Sequence, residues 1–379
     1  MKFVLAPDSF KGSLTAAEVC VAMERGVRMA WPDADILAMP MADGGEGTVD
    51  SMILATGGVK HQVHVTGPLG DPVEAYFGIL GDGQTAVIEM AQASGLPLLP
   101  EDRRNPLVTT TYGTGELIAC ALDKGCRNIM IAIGGSATND AGAGMAEALG
   151  VRFSDRGGRS IPRGGGGLAH LASIDVTGLD DRLAGTNITV LCDVDNPLCG
   201  PDGASVVFGP QKGATADVVR VLDHNLEHFA EVVKDQLGVD VKDEAGAGAA
   251  GGLGYACVAI LNAKLRRGAE SVMDATRFDD ALHGADLVIT GEGRCDAQTL
   301  RGKTPFAVAA RAKSLGIPVI CLAGSVDIPP FILQQHGISA AFSIVDRPME
   351  LSEAVARVSE LIERSAMDVV LAVRALQRC

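Results

Sequence analysis

Five apolar residues, Ile129 to Ile133, stop at Gly134-Gly135 and are followed by Ser136, Thr138, Asn139 and Asp140. The run fits a parallel strand buried on both faces. Glycine lets the backbone turn tightly and aim N–H groups at an anion, and short polar side chains suit a helix start. A helix is expected over Ala141 to Leu149, closed by Gly150. Strand, glycine turn and helix N-terminus together favour phosphate, although an ordinary βα turn can carry the same residues.

Other residues could serve the same chemistry. Lys303 stands between Gly302 and Thr304, with Pro305 at an expected first helical position. A lysine there suits polyphosphate, yet Ala297 occupies the place of the first Walker A glycine, so this is no P-loop. Asp193, Asp195, Glu292 and Asp296 follow apolar runs, at the edge where open α/β sheets place their sites. Carboxylates there could hold Mg²⁺ or accept a proton from a hydroxyl. Lys11 and Lys212, each preceding glycine, are candidate anion clamps, and Asp43 and Glu46 lie in a glycine-rich turn. The seven histidines show no nucleophile context and G-x-S-x-G is absent. Gly246 to Gly251 spells G-x-G-x-x-G, but Asp240 to Ala245 is no buried strand, which argues against NAD. Lysines, glycines and carboxylates without a side-chain nucleophile fit phosphoryl transfer.

The elements that must position these residues read as follows. Lys2 to Ala6 is a strand, and Thr15 with Glu18 forms a capping box before a helix whose inner face is Val19, Ala22, Met23, Gly26, Val27 and Ala30. Ile36 to Met39 is a second strand before a helix over Val49 to Ala55, and two βα units imply a parallel sheet. From His61 the pattern alternates through Val63, Val65, Val73, Ala75, Phe77 and Ile79, an antiparallel meander. Tyr112 opens a helix that ends at Gly125, and Ile188 to Cys192 is a strand. The βα rhythm resumes with a strand from Leu287 to Ile289, a helix from Pro305 to Leu315, strands Val319 to Leu322 and Phe342 to Val345, and one long amphipathic helix from Leu351 to Leu376. The predicted architecture is a parallel α/β domain of residues 1–62 and 268–379, with a mixed α/β domain, 63–267, inserted in it.

The chain has 379 residues, 47% of them hydrophobic, and a formal net charge of −15. So acidic a chain, with only 4% aromatic residues, is a poor partner for nucleic acid. No apolar run approaches a membrane span, and Pro7-Asp8 comes too early for a signal-peptide core, so a cytoplasmic location without a membrane partner is expected. The nine cysteines lack C-x-x-C or zinc spacing and read as reduced core thiols.

Long motifs in order resemble the glycerate kinases of the bacterial two-domain type: APDSFKGSL from Ala6, ADGGEGT from Ala42, TTYGTGEL from Thr110, IGGSATNDAGAGM from Ile133, CDVDNPLCGPDGA from Cys192, FGPQKGAT from Phe208, GAGAAGGLG from Gly246 and TGEGRCDAQTLRGKTP from Thr290. The resemblance implies ATP- and Mg²⁺-dependent phosphorylation of D-glycerate, more often to 2- than to 3-phosphoglycerate. It also implies a flavodoxin-like domain interrupted by a second mixed α/β domain. The chain departs from the family pattern at Ala141, where glycine is usual, and at Cys295, where an aliphatic residue is.

With the residue reading, this leads to a catalytic centre expected between the domains. Gly134, Gly135 and Ser136, the loop holding Gly248, Gly251 and Gly252, and Lys212 are expected to take nucleotide. Ser9, Lys11, Asp43 and Arg294 are expected to take glycerate. Asp193 is expected as the base, Asp296 with Glu292 as metal ligands, and Lys303 on the transferring phosphoryl group. A two-domain binding protein for a small carboxylate remains the alternative from another class, and a homodimer is the assembly to test.

Overall fold

A computed structural model describes residues 1–297 and 299–376. The chain divides into two compact units: Met1–Asp43, Asp50–Gly57 and everything from Arg267 onward form one, and Gly44–Val49 with Gly58–Arg266 form the other.

The first unit is a parallel sheet of β1 (Lys2–Leu5), β2 (Asp35–Ala38), β11 (Leu287–Cys295), β12 (Val319–Val326) and β13 (Ala340–Ser343). Its order is β2-β1-β11-β12-β13. Counted along this unit alone, that is 2-1-3-4-5, the flavodoxin-like arrangement. β1 is an interior strand next to the edge, pairing Phe3 with Ile36 of the edge strand β2 on one side and with Leu287 of the central β11 on the other. The helix Ala16–Ala30 starts at the expected capping box, and all six residues of its expected inner face are buried. They join Leu361, Ile362 and Ala366 of the helix Val358–Leu376 in one core. Gly26 permits that contact, since a Cβ there would lie 2.1 Å from the Glu363 carbonyl oxygen.

Two elements differ from expectation. β11 continues six residues past Ile289, because β12 keeps pairing with it as far as Val326 after β1 has ended at Leu5. Glu292 and Arg294 therefore stand on a strand extension rather than in a loop. The final helix is also two helices, Leu351–Ala356 and Val358–Leu376, broken at Arg357. Leu351 and Leu376, 77% and 78% exposed, lie outside the buried stripe. A single-residue break leaves the 3.6-residue period almost in phase, so the pattern reads through it.

The second unit holds a mixed sheet of order β10-β9-β6-β5-β4-β3. Its strands are β3 (Val59–Thr66), β4 (Pro72–Ile79), β5 (Thr85–Glu89), β6 (Asn128–Ala132), β9 (Asn187–Leu191) and β10 (Lys264–Arg266), while β7 (Arg152–Ser154) and β8 (Ser173–Asp175) form a separate pair. β3, β4 and β5 are the antiparallel meander, and β5, β6, β9 and β10 run parallel. After β6 the helix is Ala143–Ala148, two residues later than expected. Ala141 (φ +53°) and Gly142 (φ +72°) are both left-handed, which a right-handed helix cannot include. Ala141 thus keeps a glycine-like conformation despite its Cβ.

The eight described cysteines are free thiols, six of them buried, and Cys379 lies outside the described residues. Among the described residues no helix is long and apolar enough to cross a membrane.

Candidate functional site

In the first unit, charged side chains gather past the C-terminal ends of β1 and β2 and along the β11 extension. Asp8 follows β1 by three residues and is 6% exposed; Thr304 Oγ1 donates to its Oδ2 at 2.7 Å and the Ser9 N–H to its Oδ1 at 2.6 Å. Burial and then repulsion from Asp43 push its carboxyl up to about 6, against the pull of the Thr304 bond. Lys11 Nζ lies 3.6 Å from Asp43 Oδ2, and Asp43 foremost raises the pKa of the lysine. Glu292 accepts from Thr299 Oγ1 at 2.7 Å, and burial lifts it to about 7, with Asp8 adding repulsion and Lys303 opposing. Arg294 is exposed between Asp296 (3.3 Å) and Asp327 (2.9 Å). Lys303 caps the helix Thr304–Ser314 with its backbone, leaving its side chain without a capping role.

Ser9, Lys11, Asp43, Glu292, Arg294, Asp296 and Lys303 were all singled out by type and position. Asp8, Thr299 and Thr304 were not. Asp8 carried the same signal as Glu292, a carboxylate just beyond a buried strand; the two threonines matter only through folded contacts. Among the described residues no three His, Cys, Asp or Glu side chains converge to hold a metal ion.

In the second unit, β6 delivers the chain to Gly134 and Gly135, both exposed, with Gly135 at φ +74°. The turn is pinned on one side by Leu96 N–H to Gly135 O (2.8 Å) and Ala137 N–H to Ser94 O (2.9 Å). Ser136 is buried, and from Thr138 to Asp140 the turn is fully buried. Asp140 accepts from the N–H groups of Thr111 (2.8 Å), Gly142 (3.1 Å) and Gly144 (3.3 Å) and from Thr111 Oγ1 (2.9 Å). Burial pushes its carboxyl up while these donors hold it down.

The other glycine loop packs against this turn. A Cβ on Gly251 (φ +69°) would lie 2.0 Å from Thr138 O, and one on Gly252 2.8 Å from Ala141 Cα. Gly248 is pressed on Pro197 O in the same way, and its N–H donates to Asn196 O at 2.9 Å. Close approach of backbone to backbone therefore already requires these three glycines. Asp193 is half-buried just after β9, in the stretch that Gly246 and Gly248 pack against.

Lys212, expected as an anion clamp, sits inside the protein. It is 1% exposed, and its Nζ donates to Thr138 O at 2.6 Å. Burial lowers its pKa to about 7, opposed by the Asp140 charge. The lysine reads as a loop residue because the short turn Pro210–Lys212 carries no periodic sign of burial.

Comparison with known proteins follows the same chain from end to end. Residues 3–374 match the model of the glycerate kinase family. A Bacillus subtilis protein named glycerate kinase is 55% identical over 99% of this chain and 98% of its own length. An Escherichia coli protein named glycerate 2-kinase is 54% identical over 93% of each. The crystal structure of a Salmonella typhimurium protein, provisionally named glycerate kinase 2, superposes with a TM-score of 0.91 at 52% identity over the full length of both chains.

Proposed function

The chain belongs to the glycerate kinase family, and from that premise we propose that it transfers the terminal phosphoryl group of ATP to the 2-hydroxyl of D-glycerate, giving 2-phosphoglycerate and ADP. The observation that carries the regiochemistry is the 54% identity to a relative named for 2-phosphorylation. The exposed Gly134-Gly135 turn and Lys303, at a helix N-terminus, offer N–H groups and positive charge to phosphate oxygens. Lys11, Arg294 and Ser9 supply cationic and hydroxyl contacts for a carboxylate substrate, with Asp43 fixing Lys11.

Asp193 is assigned as the base that takes the hydroxyl proton as the new O–P bond forms and the bond to the leaving ADP oxygen breaks. Magnesium uses one or two carboxylates together with substrate phosphates rather than an all-protein cage, and an oxygen-only pair without a third converging ligand fits that mode. Asp296 and Glu292 are the residues that would hold it. The ion would neutralise charge on the phosphates. Burial foremost raises the carboxyls of Glu292 and Asp8, and a cation bound beside them would favour their charged forms.

The reading places the enzyme in the cytoplasm, without a nucleic-acid or membrane partner. An assay coupling ADP release to D-glycerate, followed by NMR identification of the phosphorylated carbon, tests it. ADP release no greater than with ATP alone would leave only a binding protein, and phosphate on carbon 3 would overturn the regiochemistry.

A further inference from the structure

Lys212 touches the candidate phosphate turn from inside the protein. Every residue of the turn from Ala137 to Asn139 is tied inward by a polar contact: Ala137 O accepts from Thr109 Oγ1 (2.8 Å), Thr138 O from Lys212 Nζ (2.6 Å), and Asn139 Nδ2 donates to Ser205 Oγ (3.0 Å). Asp140 then gathers its four donors, and the Ala141 N–H donates to Gly251 O at 3.0 Å. Only Gly134 and Gly135 face solvent. A trans peptide points its N–H opposite to its C=O. Drawing the Thr138 carbonyl onto Lys212 therefore fixes the orientation of the whole peptide joining Thr138 to Asn139.

The lysine is itself built in. The chain after it turns at Gly213 (φ +93°), where a Cβ would lie 2.3 Å from the Arg104 carbonyl oxygen. To reach a nucleotide, the ammonium would have to leave Thr138 and cross protein that leaves it 1% exposed. A buried ammonium requires a partner, and here that partner is the backbone of the turn.

We propose that Lys212 is a positioning residue for phosphoryl transfer, one whose buried ammonium sets the Gly134–Asp140 turn in its phosphate-accepting form without touching the nucleotide. The proposal rests on the reading that this turn takes ATP phosphates. It differs from a direct clamp in what the unliganded enzyme does when the ammonium is lost.

The test compares full-length wild type, Lys212→Met and Lys212→Gln, the last keeping N–H donors without the charge. Three readouts are taken: kcat and KM for ATP and for D-glycerate, Tm, and amide hydrogen exchange of residues 134–145 without ATP. The expected result for Lys212→Met is faster exchange in that segment and a rise in KM for ATP of about 10- to 100-fold, as an unpaired buried acceptor is left. KM for D-glycerate should stay near wild type, and Lys212→Gln should recover most of the loss. Unchanged exchange with equal loss of ATP use in both variants would make Lys212 a direct phosphate ligand and overturn the proposal. A lowered Tm with wild-type KM for ATP, or failure of both variants to fold, would overturn it in favour of a purely stabilising role. Absence of ADP release by the wild type would instead remove the kinase reading, leaving the exchange result to report on the turn alone.

Discussion

Gly135 and Gly251 share a left-handed backbone, at φ +74° and +69°, but not the same surroundings, and replacing each with alanine separates conformational cost from packing cost. Left-handed φ costs an alanine about 1–2 kcal/mol at either site. At Gly135 the new methyl would meet only Ala91 Cβ, at an ordinary 3.5 Å. At Gly251 it would lie 2.0 Å from Thr138 O and 2.6 Å from Asn139 Cα. Backbone must then move by more than an ångström to restore normal contact, adding overpacking of about 1–3 kcal/mol. Gly135→Ala should therefore lose about 1–2 kcal/mol and Gly251→Ala about 2–5 kcal/mol, read from urea unfolding. In the ADP-release assay Gly135→Ala should nevertheless raise KM for ATP about tenfold, because the methyl stands on the exposed face of the turn. Equal destabilisation by the two variants would refute the packing argument. A wild-type KM in Gly135→Ala would remove that turn from nucleotide binding.

Lys303→Ala should lower kcat/KM about a hundredfold, roughly 3 kcal/mol of lost phosphoryl-group stabilisation, with Tm almost unmoved because its side chain makes no capping bond; an unchanged rate with a lowered Tm would reverse that assignment. Asp193→Asn should lower kcat with KM for ATP nearly intact, whereas Asp296→Asn should weaken Mg²⁺-dependent ATP use, and the opposite split in titrations of ATP and Mg²⁺ would exchange the two roles. Stability should also carry a pH signature from Lys212, whose pKa falls from 10.5 to about 7 on folding. Between those values the unfolded chain binds the extra proton, so this group makes the fold more stable as pH rises from about 7 to 10.5, by up to a few kcal/mol, and costs it most below 7. Lys212→Met should flatten that slope in urea unfolding at pH 6.5, 8 and 9.5, and an identical slope in both proteins would show that the ammonium is not held away from water.

The parallel sheet of the first unit was legible in the sequence because its strands are short apolar runs alternating with helical patterns, and because the capping box at Thr15 and Glu18 marks where the first helix begins, whereas its flavodoxin-like order came only from the family resemblance. The antiparallel meander was equally plain from strict alternation. What sequence could not convey is how long two paired strands continue after a third has ended, which is a property of the β11 and β12 register and moved Glu292 and Arg294 onto a strand. Asp8 was overlooked although it occupied the same kind of position as Glu292. The burial of Lys212 was illegible for a different reason: composition assigns lysine to the surface, and only the folded chain brings a backbone carbonyl to meet its ammonium. Gly248, Gly251 and Gly252 were expected to take nucleotide, and the sequence did not show that their missing side chains also serve contacts within the protein.

The interior place of β1, between β2 and β11, has a consequence for how the molecule is made. Its neighbour on one side, β2, emerges early in synthesis, but the other edge pairs with β11, across a separation of 284 residues. At a translation rate of about 5–20 residues per second, that edge waits on the order of 15–60 s for its partner. The intervening chain, which contains all of the second unit, can condense meanwhile through its own nearer contacts. High contact order of this kind slows folding, and an unpaired, apolar strand edge is a site where nascent chains associate wrongly. β1, although made long before β11, is among the last strands to be completed, so the residues around Phe3 to Leu5 are where chaperone dependence of this protein should be sought.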